Sequence, residues 1–179
     1  MPFDSHDSAL AQGKPLDSHD SVLAQGKPSD SPAVLAKIAD AMRAEPDPRR
    51  AMELLVEILK RDMLAYTWVG IYLLEGDELV LGPFLGKPSP HTRIPLGRGI
   101  CGAAAREKQT IVVDDVNADS RYLACSLETK SEIVVPIMSG TRVLGEIDID
   151  SDRPAAFGDD DRRLLEAVAA LLASRLDPR

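Results

Sequence analysis

Ser131-Glu132-Ile133-Val134-Val135-Pro136-Ile137 and Arg142-Val143-Leu144-Gly145-Glu146-Ile147-Asp148-Ile149-Asp150 are two β-rich runs joined by Met138-Ser139-Gly140-Thr141. Valine and isoleucine on either side of a short polar, glycine-bearing connection predict a β-hairpin. Side chains alternate across a strand, so Glu146, Asp148 and Asp150 share one face of the second run. Val143, Gly145, Ile147 and Ile149 share the other, which is the candidate for the core. Three carboxylates on one face repel each other. The pattern alone reads as a solvated face, with a cation site as the other option.

At 179 residues, with 44% hydrophobic and 28% charged residues, the chain suits one domain with short appendages and a soluble surface. Its net charge of -8 argues against nucleic acid and anionic membranes, whose phosphates demand a basic footprint. No apolar run reaches membrane-spanning length, and the polar N-terminus lacks a signal-peptide core, so a cytoplasmic protein is expected. Cys101 and Cys125 could form a disulfide, but a reducing compartment favours free thiols.

Residues 4–15 recur almost unchanged as 17–28, a 13-residue offset. This repeat is polar and punctuated by Gly and Pro, so residues 1–30 are expected to be a disordered tail, and 31–179 a single domain. His6 and His19 lie near aspartates, but a tail that arose by duplication explains them without metal. Ser31-Pro32 reads as a helix start with Ser31 as the cap, followed by Val34, Leu35, Ile38, Ala39 and Met42 at helical spacing. Asp47-Pro48 opens a second helix with a core stripe of Met52, Leu55, Val56, Leu59 and Met63. A final helix begins after Phe157-Gly158 and carries Leu164, Leu165, Val168, Leu171, Leu172 and Leu176. Terminal helices around a mostly antiparallel sheet give an α+β sandwich.

Thr67 to Leu74 and Glu78 to Phe84 read as two further strands around a Glu75-Gly76-Asp77 turn. Trp68, Gly70 and Tyr72 share a face there, and two aromatics separated by a glycine suit either ordinary core or the floor of a pocket. Gly97-Arg98-Gly99-Ile100-Cys101-Gly102 matches the dinucleotide-binding fingerprint in form only. The preceding Thr92-Arg93-Ile94-Pro95 is a poor strand, and Ala103 to Lys108 is too short for a crossover helix. A short helix remains, with Cys101 in its first turn, where the helix dipole would favour a thiolate. Cys125 falls in an irregular stretch, where both inert burial and reactivity stay open.

Trp68-Val69-Gly70-Ile71-Tyr72, Leu81-Gly82-Pro83-Phe84, Gly86-Lys87-Pro88, Thr92-Arg93-Ile94-Pro95, Gly99-Ile100-Cys101-Gly102, Leu123-Ala124-Cys125, Ser131 to Pro136 and Asp148-Ile149-Asp150 follow one another in order. As a set they resemble the GAF-domain free methionine-(R)-sulfoxide reductases, over about residues 34–176. The resemblance implies a GAF-like central antiparallel sheet, with N- and C-terminal helices packed on one face and a ligand pocket on the other. It implies reduction of free methionine sulfoxide, electrons from thioredoxin as an external thiol reductant, no bound cofactor or metal, and a homodimer. Cys125 would be the nucleophile, with Cys101 the thiol that condenses with its sulfenic acid. Trp68, Tyr72, Leu123, Ala124, Glu132, Asp148 and Asp150 would bind the substrate.

One position departs from the pattern. The family has a third cysteine just before Thr92-Arg93-Ile94, and this chain has His91, read as a solvated loop histidine. Either Cys101 or an external thiol then resolves Cys125, or the protein is a non-catalytic GAF small-molecule-binding or sensor module. The remaining cysteines and pocket acids favour the enzyme.

Overall fold

A computed structural model of the protein describes residues 30–123 and 126–177. The expected disordered tail and its repeat lie outside the described residues, save for Asp30. In chain order the elements are α1 (Ser31–Ala44), α2 (Pro48–Asp62), β1 (Trp68–Glu75), β2 (Glu78–Leu85), β3 (Arg93–Pro95), α3 (Gly99–Glu107), β4 (Ile111–Val113), β5 (Ser131–Ser139), β6 (Arg142–Ser151) and α4 (Asp159–Leu176). The strands form one six-stranded sheet in the order β3-β2-β1-β6-β5-β4, and every neighbouring pair is antiparallel.

The first helix is capped one residue earlier than the sequence suggested. Asp30, not Ser31, accepts a hydrogen bond from the Ala33 amide at 3.2 Å, because Ser31 is already the first helical residue. Asp47 caps α2 by accepting from Arg49 N at 3.0 Å, with Pro48 in the first turn. Asp159, Asp160 and Asp161 open α4, where carboxylates complement the positive end of the helix dipole.

The apolar stripes of α1, α2 and α4 pack on one face of the sheet, against Val69 and Ile71 of β1, Ile133, Val135 and Ile137 of β5, and Ile147 and Ile149 of β6. Each such buried side chain contributes about 1.5–3 kcal/mol, so this layer supplies most of the stability. Tyr66 joins it and donates its hydroxyl to Asp161 at 2.8 Å, tying the approach to β1 to the start of α4. The opposite face carries a second cluster, built from Trp68, Tyr72, Leu79, Ile94, Ile100, Ala104, Val134 and their neighbours.

Simple alternation fails at two bulges, one in β2 opposite Gly70–Tyr72 and one in β6. Val143 was expected beside Ile147 and Ile149, yet it packs in the second cluster while Leu144 faces the helices. A register shift between Ile137 and Met138 puts one extra β6 residue into the ladder there, and that bulge reverses the faces toward the Gly140 turn.

Candidate active site

The pairing register builds the site directly. Trp68 of β1 pairs with Asp150 of β6, which pairs with Glu132 of β5; Gly70 pairs with Asp148, which pairs with Val134; Tyr72 pairs with Glu146, which pairs with Pro136. Residues directly opposite on one face have neighbouring side chains, so these three rows form a grid across three strands on the face away from the terminal helices. Aromatics line one edge, acids run down the middle, and Glu132 adds a fourth carboxyl at the far corner.

The expectation of a solvated acidic face is overturned. Glu132 is 5% exposed, Glu146 0%, Asp148 3% and Asp150 5%; α3 lies across β5 and β6 and sets Cys101 against Glu132 and Asp148, while Asp150 lies beside Thr129. Side-chain alternation identified the acidic face, but not the helix that would cover it.

Trp68 is held on several sides. Its indole lies over Gly70 and against Gly86, where a β-carbon would stand 2.1 Å and 2.4 Å from ring atoms. Gly86 also has φ +144°, a conformation other residues seldom adopt. The indole stacks on Phe84 with ring centroids 5.8 Å apart, and Tyr72 lies at 6.4 Å. Trp68 Nε1 donates to the Lys87 carbonyl at 3.0 Å, and the Tyr72 hydroxyl donates to the His91 carbonyl at 2.9 Å. The aromatic wall thereby ties down the β2–β3 connection, and half-buried His91 takes part through its backbone carbonyl.

Cys101 enters from α3. Its thiol donates to Asp148 Oδ2 at 3.4 Å and lies 3.8 Å from Glu132 Oε1. The thiolate expected from the helix dipole is overturned: burial pushes the Cys101 thiol well up, and the Asp148, Glu146 and Glu132 charges add to it. A dipole effect of about 0.3–1 kcal/mol cannot offset a buried cluster of like charges.

The carboxyls respond to the same environment. Burial pushes Asp148 up to about 7, partly offset by the Cys101 hydrogen bond. Burial also holds Glu132, Glu146 and Asp150 well above the usual carboxylate range, with the Asp148 charge the next cause for each. The site therefore keeps protons that a solvated acidic face would shed.

Beside Trp68 and Asp150 a cavity of about 170 Å³ opens, lined also by Thr67, Lys87, Ser126, Glu128 and Thr129. Lys87 pairs with Glu128 across it. A broader groove of about 600 Å³ lies between α2 and β2, lined among the described residues by Arg49, Glu53, Glu57, Leu81 and Phe84.

The sequence profile of the GAF domain matches residues 47–176. This chain belongs to the GAF domain family. The GAF domain is similar to the free methionine-R-sulfoxide reductase of Escherichia coli (strain K12), 43% identical over 105 residues, which are 59% of this chain and 63% of that protein. It is 45% identical to the protein of the same name from Saccharomyces cerevisiae over 109 residues, 59% of this chain and 60% of that protein. These matches span less than two thirds of either relative. Among solved structures, the free methionine-R-sulfoxide reductase from Neisseria meningitidis in complex with its substrate is 39% identical, with a TM-score of 0.78 over 82% of this chain and 87% of that one.

Of the residues singled out in the sequence, this GAF domain brings Trp68, Tyr72, Cys101, Glu132, Asp148 and Asp150 to one face. Leu123 lies against Gly99 at the start of α3. Ala124 and Cys125 lie outside the described residues. Alternation had already placed Glu146 on one face with Asp148 and Asp150, but the substrate-binding set implied by the resemblance left it out, as it did Lys87, which lines the cavity.

Proposed function

We propose that this GAF domain reduces free L-methionine-(R)-sulfoxide to L-methionine by cysteine chemistry. The observation that carries the reading is the row of buried, proton-holding carboxyls set between an aromatic wall and a thiol. Sulfoxide reduction breaks an S–O bond and ends with that oxygen in water, so it needs proton donors near neutral pH. Carboxyls raised by burial meet that need, and Asp148, held at about 7, suits both donating and regaining a proton. A free amino acid also carries an ammonium that a peptide-bound residue lacks. An anionic member of the cluster binds that ammonium and so selects free substrate, while Trp68 packs against the apolar methyl-sulfur end.

In this reading the Cys125 thiolate attacks the sulfoxide sulfur, the oxygen passes to the cysteine, and methionine leaves with a sulfenic acid at Cys125. A second thiol condenses with it, forming a disulfide and releasing water. Cys101 is that thiol in the proposal, and an external dithiol such as thioredoxin restores both cysteines. No bound cofactor takes part. A homodimer in the reducing cytoplasm completes the reading.

Two observations favour a rival, a GAF module that binds a small molecule without turnover. His91 stands where the resembled family has its third cysteine, and Cys101 is held as a thiol rather than a thiolate. Turnover of free L-methionine-(R,S)-sulfoxide with dithiothreitol, then with thioredoxin, beside Cys125→Ser, separates the two. Loss of the R isomer alone, abolished in the variant, is the expected result. Binding with no methionine formed, even to one enzyme equivalent, overturns the reductase.

A further inference from the structure

We propose that Cys101, Glu132 and Asp148, completed by Glu146, form a binding site for a thiophilic divalent cation of the zinc class. Zinc binds thiolate sulfur at about 2.3 Å and carboxylate oxygen at about 2.0–2.2 Å in a tetrahedron, which sets an S···O edge near 3.5 Å. The Cys101 Sγ distances to Asp148 Oδ2 and Glu132 Oε1 are 3.4 and 3.8 Å, on either side of that edge. All three donor atoms lie within 4.8 Å of one another. The three donor atoms are therefore close enough for one cation to bridge them.

Glu146 supplies an independent observation. It is 0% exposed, and neither of its carboxylate oxygens has a hydrogen-bond partner; Asp148 Oδ1 has none either. The β1–β6 register sets Glu146 on the same face as Asp148, two residues away along β6, and so beside the cluster. An acceptor buried without a donor costs about 1–3 kcal/mol, and a bound cation satisfies several at once. The donor set also selects the ion. A sulfur ligand disfavours magnesium and calcium, while three carboxylates disfavour copper(I), leaving zinc and its neighbours. On binding, the Cys101 thiol and any protonated carboxyl release their protons to solvent, and no electron moves.

Occupancy would tie up Cys101 and three of the grid's acids together, so zinc would reversibly block ligand entry and any chemistry of the Cys101 thiol. The site itself does not depend on the reductase reading.

The test is anaerobic titration of the fully reduced protein with Co²⁺ as a spectroscopic probe. The expected result is a near-ultraviolet thiolate-to-cobalt charge-transfer band, saturating at one equivalent and displaced by Zn²⁺. The band persists in Cys125→Ser and disappears in Cys101→Ser, each variant checked for folding by circular dichroism. Glu146→Gln is expected to weaken Co²⁺ binding about tenfold, as removal of a metal-site partner does. Absence of the band in the wild-type protein at excess Co²⁺ overturns the proposal without reference to any variant. So does a band that depends on Cys125 instead of Cys101, while unchanged affinity in Glu146→Gln overturns the four-residue site.

Discussion

Gly70 lies directly beneath the indole of Trp68, and a β-carbon at residue 70 would stand 2.1 Å from the ring. The ring cannot simply step aside. Gly86, Phe84 and the Lys87 carbonyl hold it from other directions. Gly70→Ala is therefore expected to destabilise the fold by about 1–3 kcal/mol, the usual range for overpacking, and to lift Trp68 off the pocket wall. Urea unfolding reads the first effect, and a weaker ligand affinity with retained secondary structure reads the second. An unchanged unfolding midpoint would show that the ring is free to move.

The buried carboxyls predict an unusual stability profile. Asp148 holds its proton up to about pH 7 in the folded chain, against 3.8 for an ordinary aspartate. The folded state then binds more protons than the unfolded state, so stability is greatest at the acid end and falls as pH rises through about 7. Each such proton contributes on the order of 1.4 kcal/mol per pH unit. Asp148→Asn should remove one proton's share of the slope and raise stability at pH 8. Urea midpoints from pH 5 to 8 measure both, and a profile flat over that range in the wild type would refute the buried, protonated cluster.

The roles proposed for the two cysteines separate in a single turnover. Cys101→Ser should still form close to one equivalent of methionine per protein when no reductant is added, then stall with thioredoxin. Cys125→Ser should form none. Rapid-quench measurement of methionine reads the difference. Full thioredoxin-driven turnover in Cys101→Ser would assign the condensing thiol elsewhere.

Lys87 is the one basic side chain on the cavity beside Trp68 among the described residues. Its pair with Glu128 is solvent-exposed on both sides, at 67% and 65%, so its removal should leave stability nearly unchanged. In the proposed reading, Lys87 holds the carboxylate of the free amino acid. Lys87→Ala should raise KM for free methionine sulfoxide about tenfold at constant kcat, the loss of a charge-assisted hydrogen bond of about 1.5 kcal/mol. Steady-state kinetics test it, and an unchanged KM would remove Lys87 from substrate recognition.

Much of this arrangement was legible in the chain because side chains alternate across a strand wherever no bulge intervenes. The shared faces of Trp68 with Tyr72, and of Asp148 with Asp150, follow from a period of two, and the structure keeps both. Val143 escaped because a bulge adds a residue at Ile137/Met138, and nothing in the local composition marks it. The burial of the acids escaped for another reason: the covering helix α3 lies some thirty to fifty residues earlier in the chain, and hydropathy cannot say where it docks. Cys101 illustrates the same limit. Its place in a helix first turn was readable, but its protonation is set by Asp148, Glu146 and Glu132, which come from strands far along the sequence.

Trp68 is the sole tryptophan of the chain, and it forms the edge of the acid grid. Indole emission shifts with local polarity and is quenched by neighbouring acids. With no second indole to dilute the signal, the intrinsic fluorescence of the unlabelled protein reports one location, the wall shared by Asp150, Gly70 and the Lys87 carbonyl. Proton uptake, arrival of a sulfoxide and capture of a cation at Cys101 should each leave a distinct mark on that single emission band.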